Sequence, residues 1–218
     1  MGYAGNARAA LLITALALSG CASVPNTPPI SAGAESAWQS RQAALAAIPA
    51  WTLAGRIAVN NDTASDGAPD AANNNVGSAI NVSATLNWAQ QPNDYRIEVV
   101  PPFGQGAINL EGNDAGVMIR LPGGRRLSAA DPEALLYQQT NLRLPISSLR
   151  YWVMGRPDPA FAAHKALDDS GRALWLEQSG WRVEFLRYNQ INGLDMPDKL
   201  TVTRPPLRLR LVIDRWEL

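Results

Sequence analysis

Few side chains in this sequence can do covalent, acid–base or metal chemistry. There is one cysteine, Cys21, and one histidine, His164, among 218 residues. A single Cys excludes disulfide scaffolds and multi-thiolate zinc sites, and a single His removes paired-histidine metal sites. No Gly-x-Ser-x-Gly motif supplies an activated serine. No phosphate loop ending in Gly-Lys-Ser/Thr is present, and Gly104-Gln105-Gly106 and Gly123-Gly124 read as turns. His164 sits in a loop-like stretch, Asp158 to Asp169, where a solvated side chain is the simpler reading. No catalytic residue, cofactor or metal ligand is therefore assigned, and an enzyme is not expected. The 19 Lys+Arg balance the 19 Asp+Glu, and only 17% of residues are charged, which argues against a nucleic-acid partner.

The one reactive group is the Cys21 thiol, and its position is informative. Arg8 is the only charge before it, and Ala9 to Leu18 is an almost wholly apolar run. Roughly 20 apolar residues are needed to span a bilayer as a helix, so this run suits the core of a signal peptide. It ends in Leu18-Ser19-Gly20-Cys21, which resembles the bacterial lipobox. There the thiol receives a diacylglycerol and the chain is cleaved in front of the Cys. Residue 22 is Ala, whereas an Asp there resembles an inner-membrane retention signal, so the outer membrane is the expected destination. More than one acyl chain makes such an anchor stable.

Three segments follow from this reading. Residues 1–20 are a lipoprotein signal peptide, and 21–34 an acylated N-terminus with a tether rich in Pro, Ser, Gly and Ala. Residues 35–218 are the folded domain, of a size that can bury a real core.

Within the domain, Ala37 to Ile48 has helix-forming composition, with Trp38, Leu45 and Ile48 on one face. From Trp51 onward the pattern is mostly that of antiparallel strands. Ile80, Val82, Ala84, Leu86 and Trp88 alternate with Asn81, Ser83, Thr85 and Asn87, while Tyr95, Ile97 and Val99 alternate with Arg96 and Glu98. Asn60 to Gly77 reads as a long hairpin loop. Late strands are expected over Leu174–Gln178, Trp181–Tyr188, Lys199–Thr203 and Leu207–Trp216. Two short helices interrupt the series. One opens at Asp131-Pro132-Glu133; the other follows Pro145, carries Leu149, Trp152 and Val153 on one face and ends at Gly155. Strands, helices, then strands define an α+β class.

A curved antiparallel sheet with a helical plug is either a packed core or the wall of an apolar cavity. Composition leaves both open. The six tryptophans from Trp51 onward (51, 88, 152, 175, 181 and 216) supply bulk that suits either.

Taken in order, several short pieces carry a family resemblance. They are the lipobox at Cys21, Trp51-Thr52-Leu53-Ala54-Gly55-Arg56-Ile57-Ala58, Leu86-Asn87-Trp88, and Tyr95-Arg96-Ile97 leading to Pro102-Phe103-Gly104. They continue through Ala129-Ala130-Asp131-Pro132-Glu133, Leu144 to Trp152, Gly180-Trp181-Arg182-Val183 and Leu211 to Trp216. Together these span nearly all of the chain after Trp38 and resemble the LolB family of outer-membrane lipoprotein receptors. The chain departs from that pattern in the insert at 60–77 and in Phe103, where a Leu is expected.

The resemblance implies an open, incomplete antiparallel β-barrel covered by short helices around an apolar cavity. That cavity would take the acyl chains of lipoproteins handed over by a soluble LolA-like periplasmic carrier. The receptor would then insert them into the inner leaflet of the outer membrane, acting as a monomer. Leu86, Trp88, Ile97, Leu149 and Trp152 are the candidates for lining the cavity. Phe103 has two readings from spacing alone, folded back on its sheet or held in solvent. The resemblance favours exposure, with a role in membrane insertion. The competing function is a structural or assembly-scaffold outer-membrane lipoprotein with no lipid cavity.

Overall fold

The structure is a computed structural model that describes residue 1 and residues 30–61, 80–104 and 106–218. The signal peptide, Cys21 and most of the 60–77 insert lie outside the described residues. In chain order the elements are α1 (Ala32–Ala46), β1 (Trp51–Asn61), β2 (Ile80–Gln90), β3 (Asp94–Val100), β4 (Ile108–Asn113), β5 (Gly116–Arg120) and β6 (Arg126–Ala129). Then come α2 (Pro132–Thr140), α3 (Ile146–Trp152), β7 (His164–Leu167), β8 (Ala173–Gln178), β9 (Trp181–Ile191), β10 (Leu194–Arg204) and β11 (Leu207–Glu217).

All eleven strands form one antiparallel sheet in the order β6-β5-β4-β3-β2-β1-β11-β10-β9-β8-β7. The first and last strands pair at its centre, so two meandering arms run outward from β1 and β11. The arms end at β6 and β7, which do not pair with each other, and the sheet is not closed. The chain between those two edges, residues 130–163, carries α2 and α3. The helices thus come from the gap where a barrel would have closed.

Period two in the sequence produces the interior. One row of directly paired residues crosses from β11 to β6: Trp216, Leu53, Trp88, Ile97, Leu110, Ile119 and Leu127. All but the edge residue Leu127 are buried. Cross-strand apolar pairs of this kind are the unit of sheet stabilisation. In β11, Leu207, Leu209, Leu211 and Ile213 are buried while Arg208, Arg210 and Asp214 face solvent, as their alternation predicts. Val82 breaks the expected pattern at 43% exposure.

At the centre of the sheet one glycine is required. The β1–β11 register slips between Ala54 and Gly55. A β-carbon at Gly55 would overlap the carbonyl oxygen of Val212 and the Cα of Ile213. Only a residue without a side chain lets β11 approach this closely.

The helices form where their capping residues allow. Asp131 Oδ1 accepts hydrogen bonds from the amides of Glu133 (2.8 Å) and Ala134 (3.2 Å), and Pro132 fills the first helical position. Pro145 cannot cap α3 with a side chain. Instead Glu133 Oε1 of α2 accepts from the Ser147 amide at 2.8 Å, joining the two helix starts. α1 begins at Ala32 with Ser31 as its cap, inside the segment expected to be tether, because the Ser31 hydroxyl accepts from the Ala34 amide. Trp38 and Leu45 of α1 are buried as their spacing predicts.

Two short strands were not expected from the pattern. β6 and β7 are four residues each and form the sheet edges. His164 opens β7 and is exposed, which corrects the reading of Asp158–Asp169 as a continuous loop. Four residues at an edge give too little alternation to register as a strand.

Candidate functional site

The five residues expected to face an interior space belong to one apolar cluster between sheet and helices. Leu86, Trp88, Ile97, Leu149 and Trp152 are each 5% exposed or less. Trp88 and Ile97 are direct cross-strand partners, and Leu86 lies one inward step along β2, paired with Val99. Leu149 and Trp152 reach the same cluster from α3. Trp152 turns toward the other arm of the sheet: its ring lies 6.3 Å from that of Trp181 on β9, and its indole nitrogen donates to Gln178 Oε1 on β8 at 2.8 Å.

Side chains fill this interior. Hollows of about 870 and 660 Å³ are bordered by charged residues such as Arg96 and Glu111; they meet Val117, Leu53 and Trp88 of the cluster but none of Leu86, Ile97, Leu149 or Trp152. A smaller cavity of about 200 Å³ also reaches the cluster. Trp88 and Val117 line it from the sheet, and Ile146, Ser147 and Arg150 from the start of α3. α3 therefore touches both arms, through Trp152 on one side and Arg150 on the other.

A buried polar lock holds α3 in place. Gln178 is 3% exposed, yet all four of its hydrogen bonds are made. Its Oε1 accepts from Trp152 and from the Asp158 amide, and its Nε2 donates to the carbonyls of Asp158 and Phe161. Ser148 Oγ of α3 donates to Asp158 Oδ2 at 2.7 Å. Sequence reasoning missed Gln178, although a signal was there: it occupies the inward phase of β8 after Leu176. Gln90 stands likewise in the inward phase of β2 after Trp88, and it too is buried.

At the other end of the site Phe103 is 96% exposed. It sits in the turn between β3 and β4 with φ 63° and ψ 30°, a left-handed conformation that an aromatic residue rarely takes. Holding it there costs on the order of 1–3 kcal/mol. Pro101 and Pro102 precede it and fix the approach of the chain.

Among the described residues no group of His, Cys, Asp and Glu is placed to hold a metal ion. No described helix is long and apolar enough to cross a membrane.

Solved structures of very different sequence share a likeness to this fold. A LolA superfamily protein from Nitrosomonas europaea aligns with a TM-score of 0.50 at 8% identity, covering 85% of this chain and 93% of that one. A DUF1329 family protein from Desulfovibrio piger gives a TM-score of 0.50 at 10% identity, covering 88% and 93%. These likenesses concern the fold alone.

The sequence decides the family. The family described as "Outer membrane lipoprotein LolB" matches residues 49–216. The chain belongs to the LolB family. An outer-membrane lipoprotein LolB from Nitrosococcus oceani is 36% identical over 211 residues, covering 95% of this chain and 96% of its own. One from Pseudomonas paraeruginosa is 34% identical over 209 residues, covering 95% and 94%, and one from Halorhodospira halophila 34% over 206, covering 94% and 92%. Within this LolB fold, the apolar row runs from β11 across to β6 and the Phe103 turn follows β3, while the α3 lock reaches β8 on the other arm.

Proposed function

We propose that the protein is an outer-membrane receptor for lipoproteins. Acylated Cys21 anchors it facing the periplasm, and the apolar interior accepts the acyl chains of lipoproteins from a LolA-like soluble carrier. The cargo then passes into the inner leaflet of the outer membrane. Family membership supports this over a scaffold role, and the match to named outer-membrane lipoproteins covers 95% of the chain. No enzymatic step and no cofactor is needed, because transfer can run downhill in affinity from carrier to receptor to bilayer.

The single observation that carries the reading is the apolar face of an unclosed sheet, covered by helices where the closing strands would pair. Such a face is covered without being sealed. Acyl chains enter by moving α2 and α3 off the sheet and replace side-chain contacts with their own methylenes, at roughly 0.8 kcal/mol per buried CH₂. Leu86, Trp88, Ile97, Leu149 and Trp152 are the surfaces they meet.

Phe103 has the complementary task of entering the bilayer beside the cargo. Burying that ring is worth about 1.5–3 kcal/mol, small beside an acyl anchor, so its contribution is local. The test is a transfer assay with carrier-bound lipoprotein, scoring receptor-bound and liposome-inserted cargo separately. The mature chain carrying Cys21→Ala should still accept cargo, and the native chain from the outer-membrane fraction should begin at a diacylglyceryl Cys21 by mass spectrometry. Cargo that stays on the carrier would contradict the reading.

A further inference from the structure

The 200 Å³ cavity beside Trp88 has a property that the rest of the interior lacks. Four of its lining residues each carry a buried polar atom without a hydrogen-bond partner in the chain: Trp88 Nε1, Gln90 Oε1, Tyr95 OH and Arg150 Nε. Two belong to side chains more than nine-tenths buried, Trp88 at 3% and Gln90 at 7% exposure. Outside it only Arg41 Nε and Arg120 Nε, among the described residues, are buried side-chain polar atoms left without a partner, and they lie apart from this hollow. The indoles of Trp152 and Trp216 donate at 2.8 and 2.9 Å, and Gln178 makes every bond open to it. Buried polar groups left unpaired cost free energy, so a cluster of them around one hollow calls for an explanation.

Local structure aims these groups inward. Gln90 Nε2 donates to the carbonyls of Gln91 (2.8 Å) and Asp94 (3.3 Å), which fixes the amide and leaves its Oε1 unpartnered beside the cavity. Gln90 pairs with Tyr95 across β2–β3, and Tyr95 pairs with Gly112 across β3–β4. A β-carbon at Gly112 would overlap the Tyr95 ring, so the glycine is the bed on which that ring lies. Burial, more than the nearby Glu133, pushes the Tyr95 hydroxyl up to about 12 against the opposing pull of Arg150, so it remains a donor.

The result is a small polar niche with three donors (indole N–H, phenol O–H and guanidinium N–H) and one amide acceptor. Trp88 and Val117 continue it into the apolar cluster. We infer that this niche binds the ester and amide linkage region of an acylated cysteine, with carbonyl oxygens on Trp88, Tyr95 and Arg150 and the amide N–H on Gln90. The inference rests on the acyl-binding reading above and adds to it where the head of the lipid sits and which way the chains run.

The experiment uses the mature chain with Cys21→Ala and three probes: a triacylated cysteinyl peptide, its counterpart with both glycerol esters replaced by ethers, and a diester phospholipid of equal chain length. The variants are Tyr95→Phe, which deletes one donor and keeps the ring, and Trp88→Phe, which deletes the indole N–H and leaves a smaller aromatic ring. We expect each to weaken the triacylated peptide about two- to twelvefold, the worth of one net hydrogen bond, and the diether counterpart less. Tyr95→Phe should also melt no lower than the parent, because it removes an unpaired hydroxyl. A purely structural role would give the opposite pairing, stability lost and affinity kept. Tighter binding of the phospholipid than of the peptide would overturn the assignment to cargo. Binding of ester and ether probes that is equal, and equal in the variants, would mean that only water serves these atoms; the niche then falls while acyl binding stands. If the parent binds no probe, both fall.

Discussion

Trp152 and Gln178 are joined across the interior by a 2.8 Å hydrogen bond from indole nitrogen to amide oxygen. The bond ties α3 to β8, on the far arm of the sheet from the strands that carry Trp88 and Ile97. One side chain thereby ties the helical cover to the sheet.

Gln178→Leu keeps the volume and removes every polar atom. It strands the Trp152 indole, the Asp158 amide and the carbonyls of Asp158 and Phe161. At roughly 1–3 kcal/mol for each unsatisfied buried group, the loss should reach about 3 kcal/mol. The urea midpoint should fall with little change in slope. A shift below about 0.5 kcal/mol would show that the lock holds nothing.

Gly55→Ala tests the centre of the sheet. The added methyl meets the β11 backbone, which cannot rotate away as a side chain could. The expected cost is at least about 1–3 kcal/mol, typical of overpacking, and thermal unfolding measures it. Gly123→Ala is a control for conformation without crowding, since nothing lies near that site although its φ is positive.

Phe103 separates stability from function. Phe103→Gly relieves a left-handed aromatic and should leave stability equal or raise it by up to about 1 kcal/mol. Phe103→Glu should keep the fold and accept cargo from the carrier, but fail at release, because an acidic tip resists the apolar layer. Normal liposome insertion by the Glu variant, or failure already at acceptance, would contradict the insertion role.

Alkaline pH should weaken the fold through two tyrosines. Burial raises Tyr95 to about 12 and pushes Tyr188 higher still, while the Tyr188 hydroxyl donates to the Ala173 carbonyl. The unfolded chain ionises near pH 10. The stability held by keeping both phenols neutral is therefore complete below about pH 10 and declines as pH climbs past it. Urea midpoints measured across that range should fall, and Tyr188→Phe should flatten the decline. An unchanged slope in that variant would assign the loss elsewhere.

The fold was legible wherever a strand was long and half-buried. β11 alternates along its length, and Asp131-Pro132-Glu133 announces α2 through groups that act locally. β6 and β7 were illegible because they are short edges whose pairing is decided by neighbours far along the chain. For the site, Pro-Pro before Phe103 and glycine after it announce a rigid turn but leave two placements of the ring open, and only the family resemblance favoured exposure. The inward placement of Trp88 and Ile97 follows from period two. How tightly these residues pack does not: the Trp51 ring 5.3 Å from that of Trp88, and the Trp216 ring 5.4 Å from Trp51, are brought there by strand pairing. That packing revises one expectation. Leu86→Ala and Leu149→Ala empty a filled interior and should cost about 2–5 kcal/mol in the ligand-free chain, where a cavity wall would have tolerated truncation. Gln178 and Gln90 carried a readable signal, a polar residue in an inward phase, but that Gln178 satisfies both ends of its amide and Gln90 only its nitrogen depends on the tertiary fold.

The most direct test of acyl binding is contact between acyl chain and interior. The probe is a triacylated cysteinyl peptide with brominated acyl chains, which quench indole fluorescence on contact. It is titrated against the mature chain carrying Cys21→Ala, with the unacylated peptide as reference. The interior places Trp51, Trp88, Trp152, Trp181 and Trp216 in one cluster, so saturable one-to-one quenching of most of the tryptophan emission is predicted. No quenching, or equal quenching by a brominated lipid that does not bind saturably, would contradict a lipid-accepting interior.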